Sequence, residues 1–186
     1  CRRYQHKKKT RIVIFIIFDL EATCWDNRPA HMVQETIEIG AVAIDAYGDE
    51  LSRFQSLIKP IIHPNLSGYC YDLTSIDQIE INRSQNFKEV FIDFVDWIDE
   101  FDEDYIIASW GDFDRHQLIL DCKLHDLEFE WISEKHIDLK TQYHKFKRLR
   151  RNHGLKFILE KEGYEFEGEQ HRALTDAENL TVLFND

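Results

Sequence analysis

The stretch from Ile12 to Glu21 is Ile-Val-Ile-Phe-Ile-Ile-Phe-Asp-Leu-Glu, and it decides the fold. Its seven consecutive β-branched or aromatic residues are too few for a core helix and are typical of a buried strand. The run is also far shorter than the roughly 20 apolar residues of a membrane-spanning helix, and acidic residues end it. We therefore predict a soluble protein with a central strand that leads into Asp19 and Glu21.

The segments that follow predict an α/β fold. Two further apolar runs, 37–44 and 51–58, flank a turn rich in Gly and Asp, which indicates a hairpin beside the first strand. Because helix and strand then alternate, we predict a mixed sheet with helices packed on it, in a single domain over residues 12–186. The expected later elements are helices near 87–98, 115–125, 155–163 and 173–184 and strands at 105–109 and 137–139.

The charge of the chain is unevenly distributed. The formal net charge is −12, yet residues 1–11 contain six Lys or Arg and no acidic residue, and residues 140–156 contain seven and none. We predict a basic N-terminal tail over residues 1–11. Each basic stretch is either a solvated surface or a contact for nucleic acid phosphates, and composition alone leaves both interpretations open.

The cysteines argue against a metal or disulfide framework. Cys1, Cys24, Cys70 and Cys122 are widely spaced and form no C-x-x-C pair. This usage is typical of a reducing compartment, so we predict a cytoplasmic protein.

Carboxylates follow two of the predicted strands. Asp19 and Glu21 lie at the end of the first strand, where residues i and i+2 point to the same side of a sheet. Asp114 follows the strand at 105–109 and begins a helix, with Asp112 as a rival for the same role. An acidic turn and a helix N-cap are the structural alternatives for these residues.

A third cluster joins a histidine to another carboxylate. If His171 and Asp176 both lay on one helix, five residues at about 100° each would separate them by roughly 140°. We therefore expect His171 in the loop before the helix and Asp176 in its first turns. A solvated surface histidine is the alternative for His171 considered alone.

Four carboxylates and one mobile histidine suit metal-assisted phosphoryl transfer. Mg²⁺ and Mn²⁺ prefer carboxylate and water ligands, and two such ions stabilise the attacking and leaving oxygens of a phosphodiester. Histidine titrates near neutral pH, which suits a general base that takes a proton from the attacking water.

Three segments carry a resemblance to a known family. Phe-Asp-Leu-Glu-Ala-Thr at 18–23, Trp-Gly-Asp-Phe-Asp at 110–114 and His-Arg-Ala-Leu-Thr-Asp-Ala at 171–177 resemble, in order, the three motifs of the DEDDh 3′-5′ exonucleases. Residues 21–25 and 66–76 are similar to the branch of the enhanced-RNAi and histone-mRNA 3′ exonucleases and bacterial KapD-type proteins. Trp110-Gly111 departs from the His-Asn of many members.

The resemblance implies a fold, an activity and roles for individual residues. The fold is an RNase H-like mixed five-stranded sheet flanked by helices, and the activity is removal of nucleotides from single-stranded 3′ ends of RNA and sometimes DNA. Two divalent ions, Mg²⁺ or Mn²⁺, are held by Asp19, Glu21, Asp114 and Asp176, with Glu21 also counted as catalytic. His171 is the general base.

The same resemblance assigns the terminal nucleotide to Ala22 and Thr23, with Tyr69 and Phe113 holding its base. Core packing is the alternative for Phe113, whereas Tyr69 is expected in a Ser-Gly-Tyr loop. The basic stretch supplies candidates for upstream phosphates, among them Lys147 and Arg150.

Two other functions compete with this interpretation. The chain could be a nucleic-acid or protein binding module on the same fold with incidental turnover, or an oligoribonuclease or proofreading type of exonuclease. No membrane partner is predicted, and protein partners are left unassigned.

Overall fold

A computed structural model describes residues 12–27 and 31–186 of the chain; the predicted tail at 1–11 lies outside them. None of the helices in these two ranges is long and apolar enough to cross a membrane. The elements in chain order are β1 (Val13–Ala22), β2 (Thr36–Ile44), β3 (Glu50–Lys59), α1 (Gly68–Thr74), α2 (Gln78–Arg83), β4 (Gln85–Asn86), α3 (Phe87–Asp99), β5 (Asp104–Ser109), α4 (Phe113–Leu124), α5 (Glu130–Lys135), β6 (His136–Asp138), α6 (Leu139–Phe146), α7 (Leu155–Glu162) and α8 (Ala173–Phe184).

The strands form one mixed sheet in the order β4-β3-β2-β1-β5-β6. β1, β2 and β3 pair antiparallel, whereas β5 and β6 run parallel to β1. The predicted mixed sheet flanked by helices is confirmed, and the five expected strands are all present. The sixth strand, β4, contributes two residues beside Ile58 and Lys59, which is too short to leave an apolar pattern in the sequence.

The two faces of the sheet carry separate cores. Even-numbered residues of β1, such as Ile16 and Phe18, pack against α3 and α4. Ile17, on the opposite face, packs against α7 and α8. Because side chains alternate along a strand, Asp19 and Glu21 share the α8 face with Ile17.

Gly40 lets α8 approach the sheet closely. A Cβ atom at this position of β2 would lie 2.0 Å from the backbone nitrogen of Leu174 and 2.2 Å from the carbonyl carbon of Ala173. Gly40 is also the partner of Asp19 in the β1–β2 ladder. The missing side chain therefore brings the first turn of α8 onto the strand segment that carries the carboxylates.

Candidate active site

The last residues of β1 are paired with a neighbouring strand on one side only. Its parallel pairing with β5 stops at Ile17 opposite Ala108, whereas its pairing with β2 continues to Ala22. The last residues of β1 therefore have a strand neighbour on one side and the loop after β5 on the other. This edge is where Asp19 and Glu21 lie.

Asp114 occupies the place that β5 vacates. The backbone N–H of Leu20 donates to Asp114 Oδ1 at 3.3 Å, so this carboxylate accepts from the free edge of β1. Asp114 is buried. The rival Asp112 instead pairs with Arg115, at 2.5 Å from Oδ1 to Nε, and this bonding lowers the pKa of Asp112. The two aspartates therefore differ in their partners: Asp114 bonds to the backbone of β1, whereas Asp112 bonds to an arginine of the helix that follows it.

The turn before α8 carries His171 at φ 64°, a left-handed conformation that is uncommon for a residue other than glycine. Its backbone N–H donates to Asp176 Oδ2 at 2.8 Å, which holds the turn against the helix. As expected from the spacing, His171 precedes the helix and Asp176 lies within its first turns.

Asp19, Glu21 and Asp176 form one cluster, each offering a carboxylate oxygen within 4.8 Å of the others. Burial and the neighbouring Asp114 and Glu21 raise the pKa of Asp19 well above its usual range. Burial, with Asp176 and Glu38, raises the pKa of Glu21 to about 9. Burial also raises the pKa of Asp114 to about 7, although a hydrogen bond from Leu20 acts in the opposite direction.

This donor set fits a hard divalent cation. Mg²⁺ and Mn²⁺ take carboxylate oxygens as ligands, and like-charged carboxylates that crowd together resist ionisation until a cation compensates them. The raised pKa values of Asp19 and Glu21 are the direct result of that crowding and of burial. The chemistry of the acidic cluster therefore fits a divalent metal ion.

Glu38 is a site residue that the sequence analysis overlooked. It is fully buried on β2 opposite Glu21, and accepts from Arg172 Nη2 at 2.9 Å and from the backbone N–H of Ala173 at 3.0 Å. These bonds fix the start of α8 to the sheet. An acidic residue inside the apolar run 37–44 was the available signal, because a buried charge needs a partner.

Replacing Glu38 by Ala should destabilise the protein far more than replacing an exposed acid. The substitution leaves Arg172, which is 26% exposed, and the buried N–H of Ala173 without their carboxylate. Loss of a hydrogen bond to a charged group typically costs about 1.5–3 kcal/mol of unfolding free energy. Urea unfolding of Glu38→Ala and of Glu50→Ala measures the contrast. Glu50 pairs with Arg53 on the exposed surface, where such pairs contribute about 0–1 kcal/mol. Equal losses would contradict the role of Glu38.

The segment after Glu21 is held by Glu35. Thr23 donates its N–H to the Glu35 carbonyl at 2.9 Å, and its hydroxyl accepts from the Glu35 N–H at 3.0 Å. The Glu35 carboxylate in turn accepts from the backbone N–H groups of residues 61–63. Ala22 and Thr23 are buried, so both present a fixed backbone beside the cluster.

Tyr69 lies in α1 rather than in a loop, because Ser67 caps that helix by accepting from the Cys70 N–H. Ser67 also donates to the Cys24 carbonyl at 2.5 Å, which ties α1 to the chain after β1. Phe113 is the first residue of α4 and is 50% exposed. The core-packing alternative for Phe113 is therefore wrong, and the rings of Tyr69 and Phe113 are both exposed to solvent.

Lys147 and Arg150 are exposed in the segment between α6 and α7. Lys147 Nζ lies 2.8 Å from Glu162 Oε2, so part of its charge is already compensated. The segment lies on the α8 side of the sheet, since Tyr143 and Leu149 pack into the same core as Ile17.

The family model described as Exonuclease, RNase_T, matches residues 16–184. The chain belongs to the exonuclease family. Among curated relatives, this exonuclease is 29% identical over 175 residues to human 3′-5′ exoribonuclease 1 and 31% identical over 189 residues to ERI1 exoribonuclease 2 of Xenopus laevis. Each alignment covers 90% of this chain, but 50% of the first relative and 27% of the second. The exonuclease spans about half the length of the curated relatives it matches first.

Solved structures identify the type of exonuclease. The nuclease domain of 3′hExo, a DEDDh family member bound to rAMP, aligns with a TM-score of 0.88 at 28% identity over 92% of this chain and 90% of that one. A 3′-exonuclease structure that addresses recognition of a histone mRNA stem-loop also gives 0.88, at 26% identity over 95% and 81%. The predicted DEDDh 3′-5′ family and its RNase H-like fold are confirmed.

Proposed function

We propose that this exonuclease removes nucleoside 5′-monophosphates from single-stranded 3′ ends of RNA, with single-stranded DNA as a second substrate to be tested. The observation that carries the proposal is the convergence of Asp19, Glu21 and Asp176 within 4.8 Å, with Asp114 on the adjacent edge of β1. The exoribonuclease names of the curated relatives support RNA as the substrate.

In this proposal, Asp19, Glu21, Asp114 and Asp176 hold two divalent ions, Mg²⁺ or Mn²⁺. Such ions activate water and stabilise negative charge on a phosphodiester. The four carboxylates come from three separate elements, and the β1–β2 ladder and the hydrogen bond from Leu20 restrict their movement. Glu21 is also counted as catalytic, because an ion that it holds would activate water.

His171 acts as the general base and takes a proton from the attacking water. Water attacks the last phosphodiester, the bond from phosphorus to the 3′ oxygen of the preceding nucleotide breaks, and that oxygen leaves on the shortened strand. The fixed turn supports this role, because the bond from the His171 N–H to Asp176 sets the backbone from which the imidazole projects.

The terminal nucleotide lies against Ala22 and Thr23, and Tyr69 and Phe113 hold its base. Exposure of 44% for Tyr69 and 50% for Phe113 supports this assignment, since neither ring is used up in the core. Stacking on an aromatic ring accepts any base, which suits an enzyme that removes successive nucleotides.

A cytoplasmic location belongs to the same proposal. Cys24, Cys70 and Cys122, the cysteines of the described ranges, carry free thiols, which is typical of a reducing compartment. Nucleic acid is the proposed partner.

Incubation of 5′-end-labelled single-stranded RNA and DNA with Mg²⁺ or Mn²⁺ tests the proposed function. We expect a ladder that shortens by one nucleotide from the 3′ end, release of nucleoside 5′-monophosphates, and no products from a 3′-blocked strand or in EDTA. Tight binding without shortening would contradict exonuclease activity and favour a binding module. Cleavage confined to dinucleotides would favour an oligoribonuclease.

Substitution of Lys147 and Arg150 by Ala should reduce the salt dependence of strand binding. Each phosphate contact on a single strand contributes about 0.7 to the slope of log affinity against log salt, so losing two contacts should flatten the slope by up to about 1.4. The measurement is fluorescence anisotropy with a 12-nucleotide RNA in EDTA at several salt concentrations.

The matched control removes the same charge elsewhere. Lys88 and Lys123 are exposed lysines of α3 and α4, in the helix layer on the other face of the sheet. Lys88→Ala with Lys123→Ala should leave the slope nearly unchanged. Equal flattening in both double variants would mean that net charge, rather than contact at Lys147 and Arg150, governs binding.

A further inference from the structure

A row of aromatic rings leads from Trp110 to the surface of α7. The ring of His144 lies 6.0 Å from that of Trp110, and His153 stacks on His144 at 5.9 Å with an interplanar angle of 13°. Phe157 stacks on His153 at 4.4 Å and 15°. Phe157 is nevertheless 50% exposed, so it ends the row at the protein surface.

Hydrogen bonds hold the inner rings of this row. His144 is buried, and its Nε2 accepts from the His153 N–H at 3.1 Å. Its Nδ1 therefore carries the proton and donates to the Lys140 carbonyl at 2.6 Å. Trp110 Nε1 donates to the His153 carbonyl at 3.2 Å. Both the N–H and the carbonyl of His153 are therefore hydrogen-bonded, which fixes the residue whose ring stacks on Phe157.

The row connects the motif of Asp114 to the basic stretch. Trp110 directly precedes Gly111, whose missing Cβ would lie 3.6 Å from the Lys140 side chain. Residues 140–156, which include the whole segment between α6 and α7, contain seven basic and no acidic residues. Phe157 directly follows this stretch in α7. A half-exposed ring next to a basic segment is complementary to a strand that offers bases and phosphates together.

We propose that the outer face of the Phe157 ring stacks against a base of the single strand upstream of the cleaved nucleotide. Arg150 and Arg151 contact the neighbouring phosphates. This inference rests on the proposed function and adds a second base subsite to it, separate from Tyr69 and Phe113.

A comparison with Phe146 explains the choice of Phe157. Phe146 is 81% exposed and lies within the basic stretch that ends just before Phe157, but no ring among the described residues stacks on it. A ring that is free to rotate loses side-chain entropy when a ligand fixes it, whereas a ring already held by His153 presents its face at lower entropic cost. Phe157 is therefore the better platform, although it is the less exposed ring.

Binding of a 12-nucleotide single-stranded RNA in EDTA to Phe157→Ala, Phe157→Trp and Phe146→Ala tests the inference. Base stacking on an aromatic ring implies about 5- to 150-fold weaker binding of the long strand by Phe157→Ala. Phe157→Trp keeps a flat ring and should bind within about twofold of the wild type, as should Phe146→Ala. Thermal melting confirms that each variant is folded.

A strand with one abasic site, moved along its length, identifies the stacked base. At one position the wild type should lose affinity by about as much as Phe157→Ala does, and Phe157→Ala should lose nothing further there, because the two changes remove the same contact.

Binding of the intact strand by Phe157→Ala within twofold of the wild type would overturn the inference, as would an equal loss in Phe146→Ala. If no RNA of any length is shortened with Mn²⁺ by the wild type, the proposed function fails as well. Normal shortening together with unchanged binding by Phe157→Ala overturns the second subsite alone.

Discussion

Asp19→Asn should reduce RNA cleavage by about 10²- to 10³-fold or more while making the metal-free protein more stable. The loss is expected because one carboxylate of a preorganised electrostatic site disappears. The gain is expected because burial first, and then the like charges of Asp114, Glu21 and Asp176, raise the pKa of Asp19 and make its ionised form unfavourable in the folded protein. Gel assays of cleavage and melting curves in EDTA measure the two effects.

The stability gain expected for Asp19→Asn should depend on pH. Glu21, with its pKa raised from 4.5 to about 9, binds its proton more tightly in the folded than in the unfolded chain. The free energy of unfolding of the metal-free protein should therefore fall as the pH rises from about 4.5 towards 9. Asp19→Asn should raise the melting temperature more at pH 8 than at pH 5, by about 2–4 °C for each kcal/mol recovered. Addition of Mg²⁺ should stabilise the wild type and have less effect on the variant.

Asp112→Asn is the matched control for the acidic cluster. Asp112 lies two residues before Asp114 but bonds to Arg115, outside the cluster. Its substitution should retain most of the activity, whereas Asp114→Asn should behave like Asp19→Asn. Loss of activity in Asp112→Asn with activity retained in Asp114→Asn would show that Asp112, and not Asp114, belongs to the metal site.

His171→Ala should lower kcat by about 10²- to 10⁴-fold, with little change in the affinity for a strand bound in EDTA. That size is typical of the loss of a positioned proton acceptor. Single-turnover cleavage separates the chemical step from binding and product release. Unchanged single-turnover rates would remove His171 from the mechanism.

His116→Ala is the histidine control. His116 lies on the exposed face of α4, beside the Asp112 carbonyl at 2.9 Å. Its loss should leave the single-turnover rate near that of the wild type. A comparable drop in both variants would indicate a general effect of removing histidine rather than general-base catalysis by His171.

The fold was predictable wherever one pattern extended over many residues. The buried run of β1, the hairpin of β2 and β3 and the periodic faces of α3 and α8 all follow from the arrangement of apolar residues. The short helices α1, α2, α5 and α6 contain six to eight residues each, about two turns, which leaves little periodicity in the sequence. They depend on local caps, such as Asp77 for α2 and Asp138 for α6, and on packing. The equally short α7 was predictable because Gly163 marks its end.

The sequence was sufficient to predict the residues that carry the chemistry of the site. It was not sufficient to predict the residues that hold them in position. Spacing and resemblance selected the carboxylates and His171, which carry the chemistry. Glu35 and Glu38 position the strand and the helix through contacts with residues 61–63 and Arg172, distant in sequence. Such partners leave no periodic signal. Likewise, nothing local indicated that Lys147 would pair with Glu162.

The close approach at Gly40 also limits what sequence variation can reveal about this family. The backbone of α8 occupies the space of a side chain at this position, so the requirement for glycine comes from packing and not from the chemistry of the carboxylates. A relative that had lost Asp19 and Asp176 during evolution, yet kept the packing of α8 on β2, would still need glycine there. Glycine at this position therefore indicates inherited packing, whereas the carboxylates and His171 distinguish an active nuclease from an inactive descendant.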